Sequence, residues 1–379
     1  MANLRFFLQR YSGLPLCLAY AATIAAFLWV FAQFYLPGQG FTFLIMFGQK
    51  EHSRYIPQLR AVNHYELENS TGYDAQYYAQ IAMQPRLTDP ALNEGVDNLA
   101  YRARRILFCW TASGMALGNS ARAMHIYAVQ NIVCWLMLAG LLLYWFPVTN
   151  WGNFARWFGV LSCYGLCFSV RGSLVDGPSL LLIAAGLALA QSRRPWWSAV
   201  VLGVSGLAKE TNLLAGAALA PPSSNTWRAW LTVIGRGLII VLPLLLWLSV
   251  LRCWLGGIGG AGSRNFAAPL SAFAVKWHDT LVQLHTAWPQ KLANPNVLKA
   301  MLSDENVMSM AVLISLTVQF LFFVLRPSWR DPWWRVAAAY SVLMIFLGDA
   351  VWEGYPGATS RVLLPMTLAF NILVPRGWK

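Results

Sequence analysis

The chain has 379 residues, of which 57% are hydrophobic and only 11% charged, with 19 Trp and 20 Phe. A soluble domain carries about 25% charged residues, and several apolar runs here reach the ~20 residues that one bilayer crossing needs, so the composition excludes a soluble globular protein and predicts a polytopic helical membrane protein. The net charge of +13 does not point to nucleic acid, because the basic residues (Arg5 and Arg10, Arg193 and Arg194, Arg228 and Arg236, Arg326, Arg330 and Arg335, Arg376 and Lys379) flank apolar spans, which is the positive-inside pattern.

A short basic N-terminus leads into an apolar run from about Leu14 to Leu36. It exceeds a signal-peptide core and lacks a small-residue cleavage site, so an uncleaved first span is expected. Residues 38–105 form the one long polar interval and hold seven of the fifteen acids: Glu51, Glu66, Glu68, Asp74, Asp89, Glu94 and Asp97. Arg54, Arg60, Asp89-Pro90 and Asn93-Glu94 mark it as water-facing, with short helices such as Asp74 to Met83. Residues 106–119 are apolar but short, and either cross with tilt or dip in and return.

Further spans are expected at about 123–146, 154–170, 177–191, 196–207, 210–220, 229–254, 307–326, 334–350 and 361–375. Segments 196–207 and 210–220 are too short to cross singly. Together they read as one helix broken at Lys209-Glu210, a break that survives only against protein or a wet cavity. The second long loop, 255–306, opens with Gly256-Gly257-Ile258-Gly259-Gly260 and contains Trp277-His278 and Trp288-Pro289. A lid at the bilayer surface and a plain connector fit it equally. The fold class expected is all-α, a polytopic transmembrane helical bundle of about 10–11 spans in one domain over 1–379.

Basic flanks argue sidedness. With Arg193 and Arg194 cytoplasmic, Arg171–Asp176, Lys209–Glu210, the loop 255–306 and Asp349–Ala358 are external. With Arg5 and Arg10 inside, the first loop is external too. This scheme requires an even number of crossings between residues 106 and 156. The six cysteines (Cys17, Cys109, Cys134, Cys163, Cys167 and Cys253) have no zinc-site spacing and read as free thiols.

Outside the two loops and the cytoplasmic Asp331, the acids are Asp176, Glu210, Asp349 and Glu353. An ionisable group in or beside a span is costly and marks function by default. Sequence neighbours offer Arg171 to Asp176, Lys209 to Glu210 and Arg361 to Glu353, and ion pairs that merely hold helix ends in register are the plainer reading. Arg102, Arg104 and Arg105 precede an apolar run. Their guanidinium forks match a phosphate or pyrophosphate, while ordinary headgroup anchoring is the alternative. Arg361 is a second candidate phosphate ligand.

Asp74 lies among Tyr73, Gln76, Tyr77 and Tyr78. Glycosyl transfer from a phosphate leaving group needs one carboxylate to take the acceptor proton, and the aromatics could stack on a sugar. The alternative is a helix N-cap for 75–83. His64, His125, His278 and His285 form no metal spacing. A divalent cation shared by Asp74 and Asp97 is allowed but not demanded. No phosphate-binding glycine loop, Ser-His-Asp arrangement or dinucleotide fingerprint is present, which disfavours soluble nucleotide-sugar chemistry.

An acid in the first external loop, Tyr73-Asp74-Ala75-Gln76-Tyr77-Tyr78, followed by many spans, resembles the GT-C superfamily of integral-membrane glycosyltransferases. The likeness is to the GPI mannosyltransferases that add the second mannose and to their bacterial relatives. It covers roughly residues 15–220 through short motifs: Asp74, Arg104-Arg105-Ile106-Leu107-Phe108, Ser173-Leu174-Val175-Asp176-Gly177, Gln191-Ser192-Arg193-Arg194 and Gly206-Leu207-Ala208-Lys209-Glu210-Thr211. The run Tyr355-Pro356-Gly357-Ala358-Thr359-Ser360-Arg361-Val362-Leu363-Leu364-Pro365 is similar to bacterial membrane proteins of this type. Two positions depart from the pattern, with Asp176 in place of Glu and Cys109 in place of Pro. The resemblance implies a polyprenyl-phosphate sugar donor (the sugar a mannose-like hexose), an inverting displacement, and Asp74 as base. It also implies an inner-membrane protein whose active site faces the periplasm and acts on a glycan, lipid or protein acceptor. Arg171, Asp176, Lys209, Glu210 and Glu353 would shape the site. A transporter or flippase of lipid-linked sugars would show paired broken helices in two related halves, and no internal repeat is visible. A non-catalytic subunit of envelope polysaccharide assembly would tolerate Asp74→Asn.

Overall fold

The computed structural model describes residues 13–220, 226–257, 263–292, 304–354 and 357–374. Arg5, Arg10, Arg376, Lys379, the glycine run from Ile258 and the pair Tyr355-Pro356 lie outside the described residues, as does the side chain of Trp288. The chain is predominantly helical. The contacts cluster into two compact units, Met1–Gly259 and Gly260–Lys379.

The first unit opens with α1 (Leu14–Ala32), started by Pro15 in its first turn. The polar interval is not wholly helical, because two-residue strands β1 (Phe47–Gly48) and β2 (Glu66–Leu67) pair in parallel. Helix α2 (Ala75–Met83) follows, then α3 (Leu107–Met115) and α4 (Ser120–Leu142). Residues 150–206 form α5 (Trp151–Leu161), α6 (Tyr164–Arg171), α7 (Asp176–Gln191) and α8 (Pro195–Gly206). A 3₁₀ segment, Glu210–Leu219, leads to α9 (Trp227–Leu255).

Among the described residues, four helices are long and apolar enough to cross a membrane, namely α1, α4, α9 and Glu305–Leu325 of the second unit, as in an integral membrane protein. The other expected spans are shorter. The expected 154–170 is broken at Ser162-Cys163 between α5 and α6. The nine residues of α3 rise only about 14 Å against a ~30 Å hydrocarbon core, and α3 packs on α4.

Local chemistry sets the helix starts. Asn119, Asn150 and Thr226 each accept a backbone N–H of the first turn of α4, α5 and α9, satisfying donors that a helix leaves open. Gly256 closes α9 with φ +69°, the left-handed cap that favours glycine. Small residues bring α7, α8 and α9 together: a Cβ on Gly186 would meet Leu202 at 2.6 Å, and one on Gly203 would meet the Ile239 carbonyl at 2.5 Å. Such close approach is how helices pack where lipid supplies no hydrophobic drive.

Contrary to the water-facing reading of 38–105, α2 is a core helix. Every residue of it except Tyr77 is buried, and Tyr78, Ala79 and Ala82 share one cluster with Phe108, Ala112, Met124 and Tyr127. The polar interval thus plugs into the bundle and carries Asp74 at the entrance of a rigid helix.

The second unit contains α10 (Ser271–Leu292), α11 (Glu305–Leu325) capped by Asp304, α12 (Pro332–Phe346) capped by Asp331, the turn α13 (Asp349–Trp352) and α14 (Leu364–Leu373). Part of the loop 255–306 is therefore the 22-residue helix α10.

Candidate active site around Asp74

The position of Asp74 follows from a backbone contact 26 residues upstream. Gly72 has φ +77°, and a Cβ there would lie 2.6 Å from the Gly48 nitrogen; one on Gly48 would lie 2.2 Å from the Gly72 nitrogen. Gln76 and Tyr55 lock this crossing. The Gly48 N–H donates to the Gln76 Oε1 at 3.1 Å, the Tyr55 hydroxyl donates to the Gly48 carbonyl at 2.7 Å, and the Gln76 amide donates to the Thr71 carbonyl at 2.8 Å.

Asp74 stands at the N-cap position of α2, yet its side chain makes no cap hydrogen bond. The carboxylate turns to the arginine turn at the end of the loop instead. Arg102 Nη2 donates to Asp74 Oδ1 at 2.9 Å. The same guanidinium forms a fork with Asp97, Nε to Oδ1 at 2.9 Å and Nη2 to Oδ2 at 2.7 Å. Asp97 is therefore the bidentate partner and Asp74 the single-point one. The second oxygen of Asp74 takes no hydrogen bond from a described residue, and the side chain keeps 38% of its surface exposed. Two carboxylates around one guanidinium leave the group with a net negative charge. Burial opposes the Arg102 charge, but the Asp97 hydrogen bonds and the nearby carboxylates hold its pKa above the ordinary arginine value, so it stays cationic.

Arg102 is itself 8% exposed, with its guanidinium carbon 4.9 Å from the centre of the Tyr77 ring. It was expected to handle lipid phosphate. Its fork is occupied by the carboxylates of Asp97 and Asp74. Arg105, expected in the same role, is also engaged: it donates to Glu210 Oε2 at 3.0 Å, to the Tyr78 hydroxyl at 3.2 Å and to the Tyr101 hydroxyl at 3.0 Å. Arg104 is half-buried with its guanidinium carbon 5.5 Å from the centre of the Tyr101 ring.

Two of the candidate substrate-binding groups are interior. Tyr78 and Gln76 are each 1% exposed, so neither reaches a substrate and both hold the loop in place. Tyr73 and Tyr77 are half-buried and remain within reach. Burial, followed by the Asp97 charge, raises the Tyr77 phenol above its usual pKa, which keeps it a neutral donor. Asp74 and Asp97 do converge, but on Arg102, and the described residues contain no group of three side chains suited to a metal ion.

The expected ion pairs exchange partners. Asp176 pairs with Lys209 at 2.5 Å, not with Arg171; Glu210 pairs with Arg105, not with Lys209; and Glu353 pairs with Arg264, not with Arg361. Arg171 lies over the rings of Phe34 and Phe43, 4.5 and 4.4 Å from their centres. The first two exchanges have one cause. Lys209 is extended (φ −162°, ψ 130°) between α8 and the 3₁₀ segment, so neighbouring side chains diverge in opposite directions. Lys209 enters the core while Glu210 reaches the arginine turn. Arg102, Arg105, Lys209, Asp176 and Glu210 thus belong to one connected end of the first unit. Glu353 and half-buried Arg361 belong to the second unit.

Sequence reading missed Trp247 and the glycine crossing. Trp247 of α9 donates its indole N–H to the Ala103 carbonyl at 2.8 Å, and the Leu107 N–H donates to the Leu207 carbonyl at 3.2 Å. These bonds fix the arginine turn against the bundle. Nothing local in the sequence signals a bond across 144 residues. Comparison of the chain with protein-family models, curated proteins and solved structures returns no match.

Proposed function

We propose that the protein is a membrane glycosyltransferase of GT-C type that moves a sugar from a polyprenyl-phosphate donor to an acceptor hydroxyl, with Asp74 as general base. The observation that carries this reading is the Asp74–Arg102–Asp97 arrangement: one carboxylate is held by a single hydrogen bond, half-open to solvent, with its second oxygen unengaged. Asp97 offsets the Arg102 charge through its fork, so Asp74 is oriented without being fully neutralised. A purely structural ion pair would favour the bidentate geometry for Asp74 as well.

In the proposed reaction, Asp74 Oδ2 accepts the proton of the acceptor hydroxyl as its oxygen forms a bond to the anomeric carbon. The bond from that carbon to the phosphate oxygen breaks, and polyprenyl phosphate departs with the electron pair. A phosphate leaving group needs no protonation, so one base suffices. Arg104 meets the donor phosphate, with Tyr73 and Tyr77 beside the sugar. The work is placed at the periplasmic face of the inner membrane. A mannose-like hexose is the sugar suggested by the resemblance, and a divalent cation is not needed by this scheme.

Membranes containing the protein should transfer label from a polyprenyl-phosphate hexose, and not from a nucleotide sugar, to an endogenous acceptor. Label drawn equally from a nucleotide sugar in washed membranes, or no label from any polyprenyl-phosphate donor, would remove this reading in favour of a lipid-linked-sugar transporter.

A further inference from the structure

The second unit holds a cavity of about 360 Å³ walled by Arg264, Lys276, Asp279, Asp349, Trp352 and Glu353. It is built where two stretches separated in sequence meet. Residues Phe266 and Leu347 form a bridge, and the Gly348 N–H donates to the Asn265 carbonyl at 2.8 Å. A Cβ on Gly348 would stand 2.2 Å from the Arg264 carbonyl, so this approach admits only glycine. Lys276 of α10 donates to the Gly354 carbonyl at 2.6 Å, and Arg264 pairs with Glu353. The cavity wall is therefore tied together at both ends before any ligand arrives. Its volume falls within the ~300–1,000 Å³ of small-molecule sites.

The chemistry of the wall restricts the occupant. Arg264 and Lys276 are committed to Glu353 and to a carbonyl, whereas the side-chain carboxylates of Asp279 and Asp349 accept no hydrogen bond from a described residue. Trp352 is 3% exposed, and its indole N–H has no partner among the described residues. An anionic ligand would meet three carboxylates, and a cationic one would meet a guanidinium and an ammonium. A neutral ligand rich in hydroxyls avoids both conflicts, because each hydroxyl donates to a carboxylate and also accepts. Ala272 and Val275 supply an apolar patch on the same wall, suited to the C–H face of a pyranose.

We infer that this cavity binds a short neutral saccharide, with Asp279 and Asp349 taking its hydroxyl protons in hydrogen bonds. Naming that saccharide the glycan acceptor rests on the proposed glycosyl transfer; the binding site itself does not. The test uses the full chain in lipid nanodiscs and saturation-transfer NMR with neutral hexose di- and trisaccharides, and with spermidine and inorganic pyrophosphate as charged probes. The wild type should bind a neutral saccharide and neither charged probe. Affinity should fall at least 10-fold in D279N/D349N, and Asp74→Asn should bind as the wild type does. Both aspartates are exposed, so the isosteric changes spare the fold, and a retained melting temperature checks this. Binding of spermidine alone, no saccharide signal, or equal binding in the double variant would overturn the inference. If the saccharide binds and no transfer occurs, the site stands and the glycosyltransferase reading fails. If transfer proceeds with an unchanged acceptor KM in D279N/D349N, the glycosyltransferase reading stands and the saccharide of this cavity is not the acceptor.

Discussion

Lys209→Met isolates the most buried ion pair of the first unit. Its ammonium lies 2.5 Å from Asp176, with side-chain exposures of 8% and 6%. Removing one partner of such a pair strands the other charge and costs about 3–5 kcal/mol, whereas replacing both leaves no charge to strand. Lys209→Met and Asp176→Asn should each lose about 3–5 kcal/mol. D176N/K209M should lose less than either, because no charge is then left unpaired in the interior. Glu210→Gln provides the comparison, because Glu210 bonds to Arg105 and should couple to Lys209→Met more weakly than Asp176→Asn does. Equilibrium unfolding of the purified protein in one detergent, followed by helix content, gives all the free energies. Coupling of Lys209 to Glu210 and not to Asp176, or single losses under about 1 kcal/mol, would refute the pairing.

Gly72→Ala should destabilise by about 2–4 kcal/mol, combining the left-handed backbone with overlap on Gly48, while Gly118→Ala, also at positive φ but facing open space, should cost only about 1 kcal/mol; thermal unfolding compares the two. Glu210→Gln should cost about 1–3 kcal/mol alone, since Arg105 keeps its tyrosine hydroxyls and loses its carboxylate, and the same titration reads it. Asp97→Asn breaks the fork that fixes Arg102 and should lower the transfer rate about 10-fold or more with little change in donor KM, with partial recovery in Asp97→Glu; steady-state kinetics on both variants checks this.

The membrane class was legible because it depends on composition and run length, which survive any tertiary arrangement. The break at Lys209-Glu210 was legible for a similar reason, since two adjacent charges cannot sit inside an apolar helix. Pairing was not legible. Proximity in sequence suggested Lys209 for Glu210, but an extended residue sends neighbours apart, and the true partners lie 33 and 105 residues away. The polarity of 38–105 likewise suggested a solvated loop, yet α2 is buried because Gln76 and Gln80 satisfy backbone groups of the loop itself. Polar residues used for internal hydrogen bonding look, in sequence, like polar residues facing water. Asp74 was singled out for its aromatic setting, and the structure gives it a different distinction, its hold on Arg102.

The most direct measurement is the single-turnover rate of sugar transfer from a polyprenyl-phosphate donor, comparing the wild type with Asp74→Asn at matched folded protein. Loss of a general base predicts a fall of about 10²–10⁴-fold in the chemical step with donor binding retained. An Asp74→Asn rate within a few-fold of the wild type would contradict the account and leave Asp74 as a structural partner of Arg102.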